Sequence, residues 1–252
     1  MNLFRWLLII LLCNSTVAAQ NPGRIPLRGY TLFWSDEFNG QRLDPSKWQY
    51  HGPLKRRQAY NTPSSISLDG KGNLVIMALL KGDSVLAGII DTDNHLNTTY
   101  GYFECRAKLT SVNGIWPGFW LLSRMNHDYS KPETDGAEID IFEYFRQYKK
   151  DSVAHSLHWG GYGVTHHVAG PVWGALGKGK NGFHTFGLEW TPTSYTTYVD
   201  GRKTYTTDQL ISHVPEFILL SLEVDAAVAG PLNKAALPDK FIVDYVRVYK
   251  KR

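Results

Sequence analysis

Cysteine is scarce in this chain of 252 residues, which contains only Cys13 and Cys105. Cys13 lies in an apolar N-terminal stretch that we expect to be removed, so no internal disulfide should remain. A chain of this length can depend on its hydrophobic core instead. Cys105 alternates with Phe103 and Ala107 on one strand face, and this pattern predicts a buried, unreactive thiol.

A strong charge imbalance is also lacking. The chain has 27 Lys and Arg against 23 Asp and Glu, a formal net charge of +4. No stripe of interleaved basic and aromatic residues occurs, so nucleic acid is not an expected partner. Aromatic residues, in contrast, are plentiful, with 8 Trp, 14 Tyr and 11 Phe. Many of them must be core, but carbohydrate sites also use flat aromatic faces on which sugar rings stack.

The first 19 residues are typical of a secretory signal peptide. Arg5 supplies the positive start, Leu7–Leu12 form a short apolar run, and Val17-Ala18-Ala19 offer small residues for cleavage. The run is shorter than the ~20 apolar residues that span a bilayer. A membrane anchor is the alternative interpretation, and Cys13 could carry a lipid, although a leucine precedes it where a small residue is expected. We therefore expect a secreted or periplasmic protein without a stable membrane partner.

The rest of the chain alternates short apolar segments with turn residues, and no helical period persists beyond about two turns. This pattern predicts one all-β domain over residues 20–252, a sandwich or barrel. Three long loops, Tyr50–Ser65, Arg124–Gly136 and Tyr162–Gly182, are expected to shape a site on the scaffold. The predicted strands are Leu74–Leu80, Gly101–Leu109, Gly118–Leu122, Ala137–Phe145, Ser152–His158, His184–Trp190, Ser194–Val199, Phe217–Val224 and Phe241–Tyr249.

Three acids on one predicted strand form the most informative motif. Glu138 and Asp140 share a strand face, whereas Ile139 and Ile141 point to the opposite side. The next residue on the acidic face would be the one after Ile141, yet the third acid is Glu143. One extra residue, a β-bulge, would return Glu143 to the face of the other two acids. The spacing therefore predicts a bulged strand with a strip of three carboxylates.

Such a strip suits acid catalysis. Like charges disfavour joint ionisation, so one member is pushed to hold a proton. Glycoside hydrolysis divides its work between a nucleophilic carboxylate and a protonated acid, and retention needs the carboxyl groups about 5–5.5 Å apart. The bulged spacing separates the two glutamate backbones by roughly 13 Å, a gap that side chains leaning inward could close. The pattern alone leaves two alternatives open, a solvated strand face and a Ca²⁺ site.

At these residues the chain resembles glycoside hydrolase family 16. The Glu-x-Asp-x-x-Glu stretch at 138–143 resembles the bulged catalytic motif of that family. The resemblance implies a β-jelly roll of two curved antiparallel sheets with an open concave groove. It also implies that Glu138 is the nucleophile, Glu143 the acid/base and Asp140 an assisting residue, with no cofactor required. Further segments that resemble the family are Trp34–Gly40, Tyr100–Glu104, Gly114–Trp120, Phe183–Trp190 and Val243–Tyr249.

The resemblance places other side chains along the groove. Trp116 and Trp120 share a strand face, and their spacing alone would also fit a core pair. In the family, tryptophans at these positions border the cleaved sugar. His158 follows the acidic strand and resembles a histidine near the acid/base, although a lone histidine is more often structural. We expect Trp116, Trp120 and His158 to contact substrate.

The loop that resembles the edge of the family's cleft contains Arg56, Arg57 and Asn61. Members that degrade laminarin usually have Asn-Asn-Glu where this chain has Arg56-Arg57-Gln58, and Ser221–Val224 also departs from the β-1,3-glucanase pattern. Either arginine could bind a sulfate or uronate, or donate to a galactose hydroxyl. The alternative is a solvated basic loop.

The expected function is endo-hydrolysis of a β-1,3 or mixed β-1,3/1,4 glucan by a monomeric, retaining enzyme. The alternative is a β-galactan, sulfated or not, such as agar, porphyran, carrageenan or keratan-type chains. Transglycosylation and a non-catalytic glycan-binding module are further alternatives. A structural Ca²⁺ on the convex side, with Glu37 and Asp244 as ligands, is the only metal expected.

Overall fold

The computed structural model describes residues 27–124 and 131–252. The predicted signal peptide and Cys13 lie outside these residues. No helix in the two described ranges is long and apolar enough to cross a membrane. The strands are β1 (Tyr30–Asp36), β2 (Gln49–Tyr50), β3 (Leu54–Arg56), β4 (Ala59–Asn61), β5 (Ile66–Leu68), β6 (Leu74–Lys81), β7 (Ser84–Asp91), β8 (Gly101–Lys108), β9 (Ile115–Ser123), β10 (Glu138–Glu143), β11 (Ser152–Trp159), β12 (His167–Ala175), β13 (His184–Thr191), β14 (Ser194–Val199), β15 (Arg202–Thr207), β16 (Glu216–Val224) and β17 (Asp239–Lys251).

Short helical turns complete the described structure: α1 (Pro132–Asp135), α2 (Ala226–Ala229) and two 3-10 turns, Pro63–Ser65 and Lys234–Ala236. Helix α1 leads directly into β10, and Gly136 between them adopts φ 81°. A Cβ at Gly136 would meet Ser123 Cβ at 2.2 Å. Glycine is therefore required where the chain turns into the acidic strand.

The strands form the two sheets of a β-jelly roll, as predicted. The concave sheet has the order β12–β11–β10–β9–β16–β7–β2, with antiparallel neighbours throughout. The convex sheet runs β15–β14–β13–β8–β17, and both β1 and β6 pair with the free edge of β17. The β6–β7 hairpin joins the two sheets, and β4 pairs in parallel with β7. Strand β10 thus lies within the concave sheet, flanked on both sides.

Apolar side chains between the sheets form the main core. Phe119 on β9, Phe142 on β10 and Leu220 on β16 face Phe103 and Phe186 of the convex sheet, and all are fully buried. Cys105 lies in the same layer, so the prediction of a buried thiol is confirmed, and burial raises its pKa well above the ordinary value. This core holds the inner face of β9, β10 and β16 and leaves their outer face free for the groove.

The nine predicted strands are all present, with ends that differ by a few residues. Sequence reasoning missed β12, which lies inside the segment that we expected to be the long loop Tyr162–Gly182. Gly170-Pro171 reads as a turn, but among the residues that the structure describes β12 pairs with β11 alone and is an edge strand. An edge strand tolerates a proline because one row of its backbone amides has no partner strand.

Candidate active site

The bulge in β10 is present as predicted. Along β9, Asp140 pairs with Trp120 and Phe142 pairs with Phe119, so two steps on β10 match one step on β9. The ladder with β11 shifts over the same residues. Phe142 consequently turns into the core, where its ring centroid lies 4.0 Å from that of Phe186. Glu143 then emerges on the groove face, where it contacts Trp116.

Two of the three acids in the strip have strongly perturbed pKa values. Burial, and then the nearby charges of Asp140 and Glu138, raise the pKa of Glu143 well above its ordinary value. Burial and the charge of Glu138 also raise the pKa of Asp140, which is 3% exposed. A raised pKa is the shift that an acid/base role for Glu143 requires, and the pKa of Asp140 is shifted in the same direction. Burial and mutual repulsion thus disfavour three simultaneous negative charges on the strip.

His158 lies beside the strip as predicted. Its Nε2 atom is 3.2 Å from Asp140 Oδ2 and 3.9 Å from Glu138 Oε1. Its Nδ1 atom is 2.9 Å from Nε2 of His166, and the two rings stack with centroids 5.1 Å apart. His155 faces the other side of β11, where its ring contacts the Ile141 carbonyl at 2.7 Å. Burial lowers the pKa of His155 to about 4, so His155 is a neutral structural group.

The two tryptophans of β9 lie on the groove face. Trp116 Nε1 donates to Glu143 Oε1 at 2.9 Å, and Trp120 Nε1 donates to Ser221 Oγ at 3.1 Å. Their exposed fractions are only 3% and 8%, and the Arg57 guanidinium lies over the Trp116 ring, 5.3 Å from its centroid. Trp116 is thus a partner of the acid group, and the stacking of a sugar on either ring stays a prediction.

The two segments that depart from the family pattern, Arg56-Arg57-Gln58 and Ser221–Val224, contact each other in the structure. Arg56 Nε donates to Glu223 Oε1 at 2.8 Å, and Arg57 Nε lies 3.4 Å from Glu223 Oε2. Arg57 Nη1 also donates to Asp225 Oδ2 at 3.3 Å. Two guanidinium charges therefore face two carboxylates, one of them buried. The two arginines thus form a hydrogen-bonded wall with Glu223 and Asp225, and sulfate or uronate binding by either arginine stays a prediction.

A cleft of about 580 Å³ lies next to Arg56 and Arg57, and its lining residues Trp120 and Tyr162 are neighbours of the acidic strip. Its floor is an apolar cluster on the groove face of the concave sheet, made of Ile89, Trp120, Leu122, Phe217 and Leu219. Its polar rim consists of Gln49, His51, Arg56, Arg57, Asp91, Asp93 and Tyr162. The cleft can receive a ring with one apolar face and polar edges, which is the shape of a pyranose.

Tyr162 is a site residue that sequence reasoning did not single out. It lies on the loop between β11 and β12, and its hydroxyl donates to Glu138 Oε2. His166, on the same loop, stacks on the His158 ring and contacts its Nδ1 atom. The only sequence signal was the position of both residues at the start of a predicted long loop after the acidic strands.

Three predicted site residues lie elsewhere. Asn61 pairs with Ala87 on β7, a core residue, and is 2% exposed, so it belongs to the buried side of β4 and does not line the cleft. Glu37 accepts two hydrogen bonds from Arg247. Asp244 pairs with Arg106 at 2.5 Å. An arginine already balances each of these two carboxylates, and calcium binding by them stays a prediction.

A buried carboxyl with a raised pKa and a second carboxyl group on one strand, near a cleft that can receive a sugar ring, match the requirements of a glycoside hydrolase. The fold and the site assign the chain to that class of enzyme. Within the class, the chain belongs to the family described as glycosyl hydrolases family 16, whose model matches residues 61–245. The resemblance inferred from the sequence is therefore confirmed.

Similar proteins include enzymes with different substrates. The chain is 29% identical to a β-glucanase of Rhodothermus marinus, with 97% of this chain and 93% of the relative covered. It is 30% identical to a keratan-sulfate endo-1,4-β-galactosidase of Sphingobacterium multivorum, with 91% of this chain but 57% of the relative covered. A solved structure of SCLam, a non-specific endo-β-1,3(4)-glucanase, superposes with a TM-score of 0.74 at 27% identity, with 92% and 95% of the two chains covered.

Proposed function

We propose that the chain is an exported, retaining endo-β-glycosidase that cleaves internal linkages of a β-1,3 or mixed β-1,3/1,4 glucan. The proposal rests on the different environments of the two glutamates on β10. Burial raises the pKa of Glu143 and so favours its protonated form, while Glu138 lies on the same groove face with a hydroxyl and an imidazole beside it. A raised pKa is what a general acid needs, and a second carboxyl group on the same face can act as the nucleophile.

In the first half-reaction, Glu143 gives its proton to the glycosidic oxygen while a Glu138 oxygen attacks the anomeric carbon. The bond to the leaving chain breaks, and a glycosyl ester forms on Glu138. Glu143 becomes a carboxylate in this step, and the Trp116 N–H donates to it. A preorganised donor aimed at a developing charge stabilises the transition state. Burial and the charge of Glu138 raise the pKa of Asp140, which disfavours a second negative charge next to the nucleophile.

In the second half-reaction, Glu143 takes a proton from a water molecule, and the water oxygen attacks the same anomeric carbon. The ester bond to Glu138 breaks, which restores both carboxyl groups and retains the anomeric configuration. Entry of a sugar hydroxyl instead of water would give transglycosylation through the same intermediate.

The glucan substrate rests on similarity to the β-glucanase and to the endo-β-1,3(4)-glucanase SCLam. An open cleft with an apolar floor is compatible with an internal stretch of a long chain. Export rests on the N-terminal sequence pattern, and the monomeric state remains a proposal as well.

The second candidate is endo-hydrolysis of a β-galactan. Its specific support is the wall formed by Arg56, Arg57 and Glu223, together with the similarity to the keratan-sulfate β-galactosidase. Because Glu223 and Asp225 neutralise both arginines, the wall favours hydrogen bonds to galactose hydroxyls over binding of a sulfate.

A substrate panel tests the proposal. The purified protein is incubated with laminarin, lichenan, agarose, porphyran, κ-carrageenan and keratan sulfate, and the products are sized. We expect oligosaccharides from laminarin or lichenan, and none from the Glu143→Gln variant prepared in parallel. Cleavage of galactans alone would favour the second candidate. Retained glycan binding without hydrolysis would mean a non-catalytic module.

A further inference from the structure

The strip of acids also forms a group of metal-binding donors. Glu138, Asp140 and His158 each place one ligand atom within 4.8 Å of the other two. Within residues 27–124 and 131–252 this is the one such group of three. Asp140 points a buried oxygen, Oδ2, towards the centre of the group, and that oxygen accepts no well-aligned hydrogen bond. A buried polar atom without a donor is a costly arrangement unless it has a use.

The spacing of the ligand atoms suits a small divalent ion. Zn²⁺ binds imidazole nitrogen and carboxylate oxygen at about 2.0–2.2 Å, so two ligands at a tetrahedral angle lie roughly 3.4 Å apart. The corresponding distances here are 3.2 Å from His158 Nε2 to Asp140 Oδ2 and 3.9 Å from His158 Nε2 to Glu138 Oε1. Small rotations of the carboxylates are enough to place an ion between the three atoms.

The outer contact of His158 also fits metal binding. A ligating histidine offers one unprotonated nitrogen to the metal and donates its other ring N–H to a neighbouring acceptor. Nδ1 of His158 lies 2.9 Å from His166 Nε2. When Nδ1 carries the proton and donates to His166, the lone pair of Nε2 points at the two carboxylates. In that tautomer the contact with His166 holds the ring in the orientation that a metal ligand needs.

The donor set discriminates between metals. Ca²⁺ takes six to eight oxygen ligands, whereas two carboxylates and one imidazole are too few and include a nitrogen. Imidazole with carboxylates suits borderline ions such as Zn²⁺ and Cu²⁺. The histidine therefore shifts the expectation away from the Ca²⁺ that the three acids alone could suggest.

We propose that Glu138, Asp140 and His158 form an inhibitory site for a divalent transition ion, with Zn²⁺ as the reference ligand. The ion occupies the nucleophile and excludes the sugar from the anomeric position, so it inhibits hydrolysis reversibly and in competition with substrate. The binding part of the proposal stands on geometry, and the inhibition part rests on the proposed function of Glu138.

Calorimetric titration of the full chain with ZnCl₂, without substrate, tests the binding part. We expect one Zn²⁺ per chain in the wild type. Affinity should fall more than about tenfold in His158→Ala, and about tenfold or more in His166→Ala, which removes the outer support. His95→Ala is the matched control, because His95 is exposed and lies outside the group. CaCl₂ should give no comparable binding.

Equal Zn²⁺ affinity in the wild type and His158→Ala would overturn the site, and so would equal affinity for Ca²⁺. Inhibition is then measured at several substrate concentrations, with recovery on addition of a chelator. Zn²⁺ that binds stoichiometrically without inhibiting would overturn the inhibitory role. Failure of the proposed function can be told apart from failure of the metal site. If only the proposed function is wrong, Zn²⁺ still binds, but Glu138→Gln and Glu143→Gln keep wild-type turnover.

Discussion

Replacement of Glu216 by glutamine should stabilise the protein at alkaline pH. Glu216 begins β16, is 0% exposed, and accepts a hydrogen bond from the Ala137 amide at 3.2 Å, directly before the acidic strand. Burial raises the pKa of its carboxyl from 4.5 to about 8, against hydrogen bonds from Ser212 and Ala137 that lower it. The folded protein therefore keeps this proton at pH values where the unfolded chain has lost it.

The sign and size of the effect follow from this shift. Because the folded pKa is raised, the contribution of Glu216 to stability is fully present below about pH 4.5 and is lost as pH rises to about 8. Each pKa unit corresponds to ~1.36 kcal/mol, so the raised pKa costs the wild type up to roughly 5 kcal/mol above that window. Glutamine keeps the acceptor for the Ala137 amide and has no charge to bury.

Urea unfolding of the wild type and Glu216→Gln at about pH 5, 7 and 9 measures the effect. The free energy of unfolding of Glu216→Gln minus that of the wild type should become steadily more positive as the pH rises across this range. Glu133→Gln, an identical change at an exposed position, should show no such trend. A difference between Glu216→Gln and the wild type that stays constant with pH would refute the reasoning.

Three further predictions concern the acid, the bulge and the cleft wall. Glu143→Gln should lower kcat about 10²–10⁴-fold and remove the alkaline limb of the pH–rate profile. The reason is that the activity of the wild type falls as pH rises through the raised pKa of Glu143. An alkaline limb that persists in the variant would contradict this role. Phe142→Ala should lower the free energy of unfolding by about 3–5 kcal/mol in urea titrations, because the buried Phe142 ring packs against Phe186. A negligible change in this free energy would mean that the bulge does not depend on the contact. Glu223→Ala should raise the ratio of kcat/KM for sulfated over unsulfated galactan, because it removes the carboxylate partner of Arg56 and leaves Arg57 paired with Asp225 alone. An unchanged ratio would show that the wall does not govern charge preference.

The acidic strand was the feature most accessible from the sequence. Glu138, Asp140 and Glu143 break the two-residue period of a strand by one position, and a bulge is the local structure that restores them to one face. The core positions Ile139 and Ile141 followed from the same alternation. Their short-range spacing carries the information, so no tertiary contact was needed to predict the arrangement.

Contacts between distant segments could not be read in the same way. Arg56 and Glu223 are 167 positions apart. The pairing of β3 with β4, of β4 with β7 and of β7 with β16 brings them together. Tyr162 and His166 reach the acids because of the path of one loop, which no periodic pattern encodes. Asn61 was expected at the cleft edge, but its register against Ala87 turns it to the buried side of β4.

The roles of Glu138 and Glu143 are tested most directly by trapping the glycosyl-enzyme. Glu143→Gln is mixed with an aryl β-glycoside of a cleaved chain whose leaving group needs no protonation, then quenched, digested and analysed by peptide mass spectrometry. The account predicts a mass increase of one glycosyl unit on the peptide that contains Glu138, and its loss in the double variant Glu138→Gln/Glu143→Gln. A label on another residue, or turnover without any covalent adduct and with inverted anomeric configuration, would contradict it.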